Sequence, residues 1–275
     1  MTTLITYFQS RFFMRKLFFL VFILIILLLS TNSIYTARDL IFRGEYLEYD
    51  VSFWGIHLGK IKVTTLYDST INDVNYHTME AFFKSADHIP FINLDSQVKT
   101  WMDMNLTHSS HCESRFKNSE DKWVDENYFY DFDKNTLRSE IYLEDSLSKT
   151  ITYTTTKKWL EGLSLFFYAR RHINEKKVVT VPTIMNSDTS TTWFNFKNEI
   201  ESVSIDAFDY KLRSVYLNGT AFWKGLYGMS GNFEGWFSDD EASIPLLSKV
   251  SVYIGSVNIE LVKWTRKGWS PPKYQ

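Results

Sequence analysis

Imidazole, thiol and carboxylate groups crowd together at few places in this 275-residue chain, and each place falls short of what a reaction needs. His108, His111 and Cys112 form the densest cluster. On an extended strand, residues 108 and 112 share one face and residue 111 takes the other. A zinc site would need a further ligand, Glu113 or Glu80, and the spacing matches no zinc signature. The cluster therefore reads as a polar strand face, and no metal is expected. Asp239-Asp240-Glu241 puts carboxylates side by side, as acid–base work or calcium would require. Neighbouring strand residues point apart, however, and EF-hand spacing is missing. This segment reads as a turn before a strand near Ile244. Gly228-Met-Ser-Gly231 is one residue short of a Gly-x-Ser-x-Gly elbow, and six scattered histidines single out no base. Gly225, Gly228 and Gly231 lack the strand-then-helix flanks of a phosphate loop and suit a tight turn. No catalytic residue and no cofactor follows from these patterns.

Binding is better supported than catalysis. Phe, Tyr and Trp make up 17% of the chain, a share that favours pleated, half-buried surfaces and a large core. Trp54, Tyr67, Phe82, Trp101, Phe116, Phe129, Trp193, Trp223 and Trp236 would line the interior of a rolled sheet and hold a lipid-like ligand there. The same side chains would equally fill a plain core. The apolar loop Ile89-Pro-Phe-Ile-Asn-Leu94 brings Phe91 to the mouth as a flap or membrane-touching tip, or else tucks inward.

The elements that must position these residues are strands. Leu47, Tyr49, Val51 and Phe53 alternate with polar residues, and so do Ile61, Val63, Thr65 and Tyr67. Together they predict a hairpin whose connection is Gly55-Ile-His-Leu-Gly59. A return strand covers 76–84. Further strands are expected over 96–104, 109–117, 123–132, 137–143, 178–185, 191–196, 200–206, 210–217, 231–237, 249–254 and 256–264. Apolar residues at Trp159, Leu160, Leu163, Phe166 and Phe167, continued by Arg170, follow helical spacing and predict one amphipathic helix of about four turns over 157–171. About a dozen strands and one helix give a mainly β fold. Its antiparallel sheet curves into an open or closed barrel, with the helix on it or in it.

The N-terminus has the form of an export signal. Arg15 and Lys16 precede the apolar run 17–29, too short for the roughly 20 residues of a membrane span, and a small, polar stretch leads to Ala37. Met14 in front of this pattern leaves the start open between Met1 and Met14. Residues 1–37 thus read as a cleaved signal or an uncleaved anchor giving membrane contact. Residues 40–265 read as one domain and 266–275 as a tail. No cysteine stands directly after the apolar run, so lipid attachment through one is not expected. Export places the domain in the periplasm or on the periplasmic face of the inner membrane. The formal net charge is −2, and the leader carries Arg11, Arg15 and Lys16 without an acid, so the remainder is more acidic still. That balance argues against nucleic acid as a partner. Cys112, the lone cysteine, can form no intramolecular disulfide and reads as a buried apolar residue.

Several stretches resemble the DUF3108 family of bacterial envelope proteins. These are 42–59 (Phe-Arg-Gly-Glu-Tyr through His-Leu-Gly), Tyr130-Asp-Phe-Asp133, Leu163-Ser-Leu-Phe-Phe-Tyr-Ala-Arg170, and the region from Gly235-Trp-Phe-Ser-Asp-Asp240 through Ile254-Gly-Ser-Val257 to Glu260-Leu261. The resemblance spans about residues 40–265. It implies an exported, β-rich, single-domain protein and carries no catalytic residue with it. The expected role is non-enzymatic binding of an apolar molecule or an envelope partner. An assembly factor offering a sheet edge or helix face is the alternative, and an envelope hydrolase a more distant one.

Overall fold

The structure is a computed structural model, which describes residues 40–89, 93–225, 230–252 and 255–275. The leader and Phe91 lie outside the described residues. Alternating sequence resolves into strands β1 (Tyr46–Phe53), β2 (Ile56–Thr65), β3 (Ser69–Ile71), β4 (Val74–Ser85), β5 (Asp95–Asp103), β6 (Ser109–Lys117), β7 (Trp123–Asp131), β8 (Thr136–Leu143) and β9 (Ser146–Thr154). Helix α1 (Gly162–His172) follows, then β10 (Lys177–Met185), β11 (Asp188–Val203), β12 (Leu212–Ala221), β13 (Gly231–Ser238), β14 (Pro245–Ser251) and β15 (Ser256–Thr265). All pair antiparallel in one sheet. Its order runs from β10 to β15, then through β1, β2 and β4 to β9, with β3 on the side of β4. β9 and β10 form its two edges, so the barrel is open.

Two-residue turns set much of the register. Trp54-Gly55, Asn72-Asp73, Glu144-Asp145 and Asn186-Ser187 all have positive φ at both residues, the geometry whose twist matches the flanking strands. The first of these corrects the expected five-residue connection over 55–59, because pairing resumes at Ile56 opposite Phe53. Gly59 instead lies within β2, where a Cβ would stand 2.3 Å from the Lys84 carbonyl of β4. β11 is one 16-residue strand where two were expected, with a bulge between Phe196 and Glu199. β9, without a continuous apolar face, has no expected counterpart.

The helix is shorter than its periodicity suggests. Glu161 caps it, accepting the Leu163 and Ser164 amides, while its own amide donates to the Ser164 hydroxyl. Trp159 and Leu160 are consequently extended. The Leu160 amide donates to the Pro182 carbonyl and the Leu160 carbonyl accepts from Ile184 on β10. Both ends of α1 are fixed by buried charge. At the start, the second Glu161 oxygen accepts from Thr100 of β5 at 2.5 Å and Ser109 of β6 at 2.8 Å. At the far end, Arg170 donates to Glu45 (2.6 and 3.3 Å), to the Leu40 carbonyl (3.2 Å) and to the Ala242 carbonyl (2.9 Å). Arg266 donates to the same Glu45 carboxylate at 2.6 Å. Eleven residues at about 1.5 Å each span roughly 16 Å, so α1 bridges from β5 and β6 to β1 and the β13–β14 turn.

The residues after β15 belong to the fold as well. The Trp269 indole donates to Asp240, and the Pro272 carbonyl accepts from the Arg213 amide.

Burial of Arg170 and Glu45 makes their pairing a strong constraint, since a lone buried charge cannot be solvated. Arg170→Met is expected to cost on the order of 3 kcal/mol in denaturant unfolding. Adding Glu45→Met should recover part of it. A loss under about 1 kcal/mol, an ordinary surface-substitution value, would show that the pair does not hold the helix.

Candidate functional site: an apolar mouth floored by the helix

Burial along the concave face is uneven. Near the Glu45 end, Leu47, Val63, Met79, Ala81, Met102 and Leu261 are at most 4% exposed. Two to four residues farther along the same faces, Ile61, Phe83, Val98 and Ile259, together with Phe233 on β13, are partly buried and pack on that core, while Ser96 and Val257 beyond them are buried. Register puts them side by side: Tyr49 and Phe83 flank Ile61, and Val51 stands opposite Ile259. α1 occupies the space beneath. Leu165 and Phe167 are buried, whereas Phe166 between them is half-exposed. The Phe166 ring meets Tyr49 edge-on at 6.1 Å. The concave face is thus dry and polar-pinned near Glu45, while several of its apolar side chains farther along are only partly buried, which makes that end the candidate mouth.

The expected lining residues stand elsewhere. Trp54 lies in the β1–β2 turn at 72% exposure, stacked on Phe53, and Tyr67 lies beyond the end of β2 at 78%. Phe82 is 40% exposed on the convex face, because Ala81 and Phe83 take the inward positions. Trp101 is buried, yet alternates with inward Thr100 and Met102. It packs beside His111, with the Lys99 ammonium 4.8 Å from its ring centroid. Phe129 continues this convex row, 4.7 Å from His111. Trp193 lies opposite in phase to buried Thr192 and Phe194. Trp236 similarly alternates with Gly235 and Phe237, packs on Tyr216 and donates to Glu201. Trp223 does reach the core side, donating to the Thr192 hydroxyl at 2.8 Å. Phe116 lies on the inward row with Ser96 and Val124. The aromatic set therefore does not converge on one lining. Size suggested these residues, but strand phase decides which face each takes.

The polar candidates have structural partners. His111 contacts the Tyr128 carbonyl and Glu113 on one face, while Cys112 is buried on the other, where burial pushes its thiol well up. His108 binds Thr107, and burial lowers its pKa. Among the described residues no group of three His, Cys, Asp or Glu side chains is placed to hold a metal. Asp240 accepts from Ser238, Ala242 and Ser243 and so shapes its turn, while Asp239 pairs with Arg213. Asp68 and His77 stand 2.8 Å apart, but the buried His77 Nε2 meets no hydroxyl.

Sequence reading missed a second buried cluster. The β10–β11 turn inserts Ser187 against the inner face of β7–β9. Its hydroxyl bonds to Glu126 and to Ser139, its amide donates to the Tyr128 hydroxyl oxygen, and its carbonyl accepts from Tyr153. Glu126 holds an inward position between Val124 and Tyr128, so a charge interrupting an apolar period was the available signal.

Comparison with known proteins fits this architecture. The family model described as a protein of unknown function, DUF3108, matches residues 48–262. The chain belongs to the DUF3108 family. No curated protein matches it in sequence. Among solved structures, the β-barrel-like DUF1849 protein from Brucella abortus is 13% identical, covering 81% of this chain and 98% of its own with a TM-score of 0.53. At that identity the likeness extends to the fold alone. A structure from Parabacteroides distasonis, 9% identical over 82% of this chain and 96% of its own, has a TM-score of 0.33 and bears on nothing further. The DUF3108 chain thus has an open, barrel-like sheet whose interior its own helix partly fills.

Burial raises the Glu126 pKa above its ordinary value. A raised carboxylate stabilises the fold below its unfolded pKa and loses that contribution as pH rises through the folded one. Denaturation midpoints should therefore fall from the ordinary carboxylate range upward in pH, and Glu126→Gln should flatten the decline. Identical pH profiles for the two proteins would count against this assignment.

Proposed function

We propose that this DUF3108 protein is an exported, non-catalytic binder of an apolar, lipid-like molecule, held in the mouth above Phe166. One observation carries the reading: inward-facing Ile61, Phe83, Val98, Phe233 and Ile259 are only partly buried, although Leu47, Val63, Met79 and Met102 of the same concave face are sealed. Apolar surface held open in a concavity costs free energy that an apolar guest would recover, at about 25 cal/mol per Å² covered. Ligand sites in curved sheets commonly sit at such mouths. The signal-like residues 1–37 support export and a role in the envelope.

The alternative, an assembly factor, has its own support in β9. This strand is the sheet edge and is exposed along much of its length, and such edges pair readily with added strands.

Protein purified from its native membrane or periplasmic fraction should carry lipid detectable by mass spectrometry after solvent extraction. Ile61→Asp and Phe83→Asp should each reduce that content several-fold, with unchanged circular dichroism, because each sets a charge among apolar neighbours. Lipid-free native protein, or variants that retain the full load, would defeat the proposal. Capture of an envelope protein by such lipid-free material through β9 would favour the assembly reading.

A further inference from the structure

Two buried hydrogen-bond donors beside Phe166 have no hydrogen-bond partner. The Tyr49 hydroxyl and the Arg170 Nε are both buried without a hydrogen-bond partner. Phe166 connects them. Its ring is 6.1 Å from the Tyr49 ring and 6.0 Å from the Arg170 guanidinium carbon. Arg170 and Glu45 are the charges acting on the Tyr49 hydroxyl, and burial pushes that phenol far above its usual value. Tyr49 is thus a neutral O–H at any physiological pH. The two terminal nitrogens of Arg170 are engaged by Glu45 and by the Leu40 and Ala242 carbonyls, which leaves Nε–H as its spare donor.

The chemistry of these donors selects a partner. A guanidinium has no lone pair to offer and bonds best to an anionic oxygen. A phenol O–H in a dry site favours the same acceptor. A head with two oxygens on one atom, as in a carboxylate or a phosphate monoester, offers one to each donor. The partly buried Phe166 ring lies beside both donor-bearing side chains, so a head that reaches them displaces that ring while the chain lies among the partly buried Ile61, Phe83 and Ile259.

Resting on the lipid-like reading above, we propose that the ligand is a single-chain amphiphile with an anionic oxygen head, received behind Phe166 by Tyr49 Oη–H and Arg170 Nε–H. The shared chemistry covers a fatty carboxylate and a lysolipid phosphate, and the measurement separates them. Full-length protein in a sugar-headed detergent is titrated with tritiated oleate, oleoyl lysophosphatidate and oleyl alcohol, and equilibrium binding is read by scintillation proximity. One of the two acids should bind about tenfold more tightly than the alcohol, as expected for hydrogen bonds to a charged group, and the tighter acid identifies the head. Tyr49→Phe, which keeps the ring and its contact with Phe166, should bring that acid to the alcohol's level. Equal affinity for acids and alcohol, or an acid preference that survives Tyr49→Phe, overturns the head-group assignment and leaves the apolar mouth intact. Failure of all three to bind overturns the mouth as well.

Discussion

A guanidinium sealed from water must keep its acceptors, and in this protein that requirement organises the fold. Arg170 is buried in the last turn of α1 and reaches Glu45 at the start of β1, the Leu40 carbonyl before it and the Ala242 carbonyl in the β13–β14 turn. Leaving any of these groups unpaired in the interior costs several kcal/mol, far more than an exposed pair would. The interaction therefore does less to add stability than to forbid alternatives. The helix cannot slide along the sheet without stranding a charge. Glu161 imposes the same condition at the opposite end through Thr100 and Ser109. Two buried carboxylates, one per end, fix a helix whose own length would give it little stability.

The proposed binding follows from where that helix is held. Close to the Glu45 end α1 completes a dry core, and beyond Phe166 the apolar side chains Ile61, Phe83 and Ile259 are only partly buried. Their position depends on α1 being short and firmly anchored at both ends.

The period-two pattern made the strands legible, including the β1–β2 and β14–β15 hairpins. A curved, barrel-like sheet with a single helix was legible as well, though not that it stays open, because alternation and aromatic content are local properties. The candidate lining was not. Phe82, Trp101, Trp193 and Trp236 stand next to Phe83, Met102, Phe194 and Phe237, and a single step along a strand exchanges the faces. Choosing the larger ring selected the convex face, where such rings are covered by neighbours such as Lys99, His111 and Tyr216. The helix start was misread for a related reason. Trp159 and Leu160 continue the helical spacing, but Glu161 captures the first free amides and ends the helix there, a three-dimensional outcome that spacing alone does not encode. Glu45 and Arg266 were equally silent, since their significance lies in partners far away in sequence.

The sheet order has a temporal consequence. β1 to β9 form a meander, β10 to β15 form another, and the ladder joining them pairs the first strand with the last, Tyr46 opposite Thr265. A chain that emerges from its N-terminus, from a ribosome or a translocon, makes its first long strand and leaves one side of it bare until nearly every other residue has appeared. Closing so large a loop is entropically slow, and an unpaired edge invites wrong partners in the meantime. The molecule thus spends its synthesis as an unfinished template, and the compartment in which its last strand arrives is the compartment in which it can first become itself.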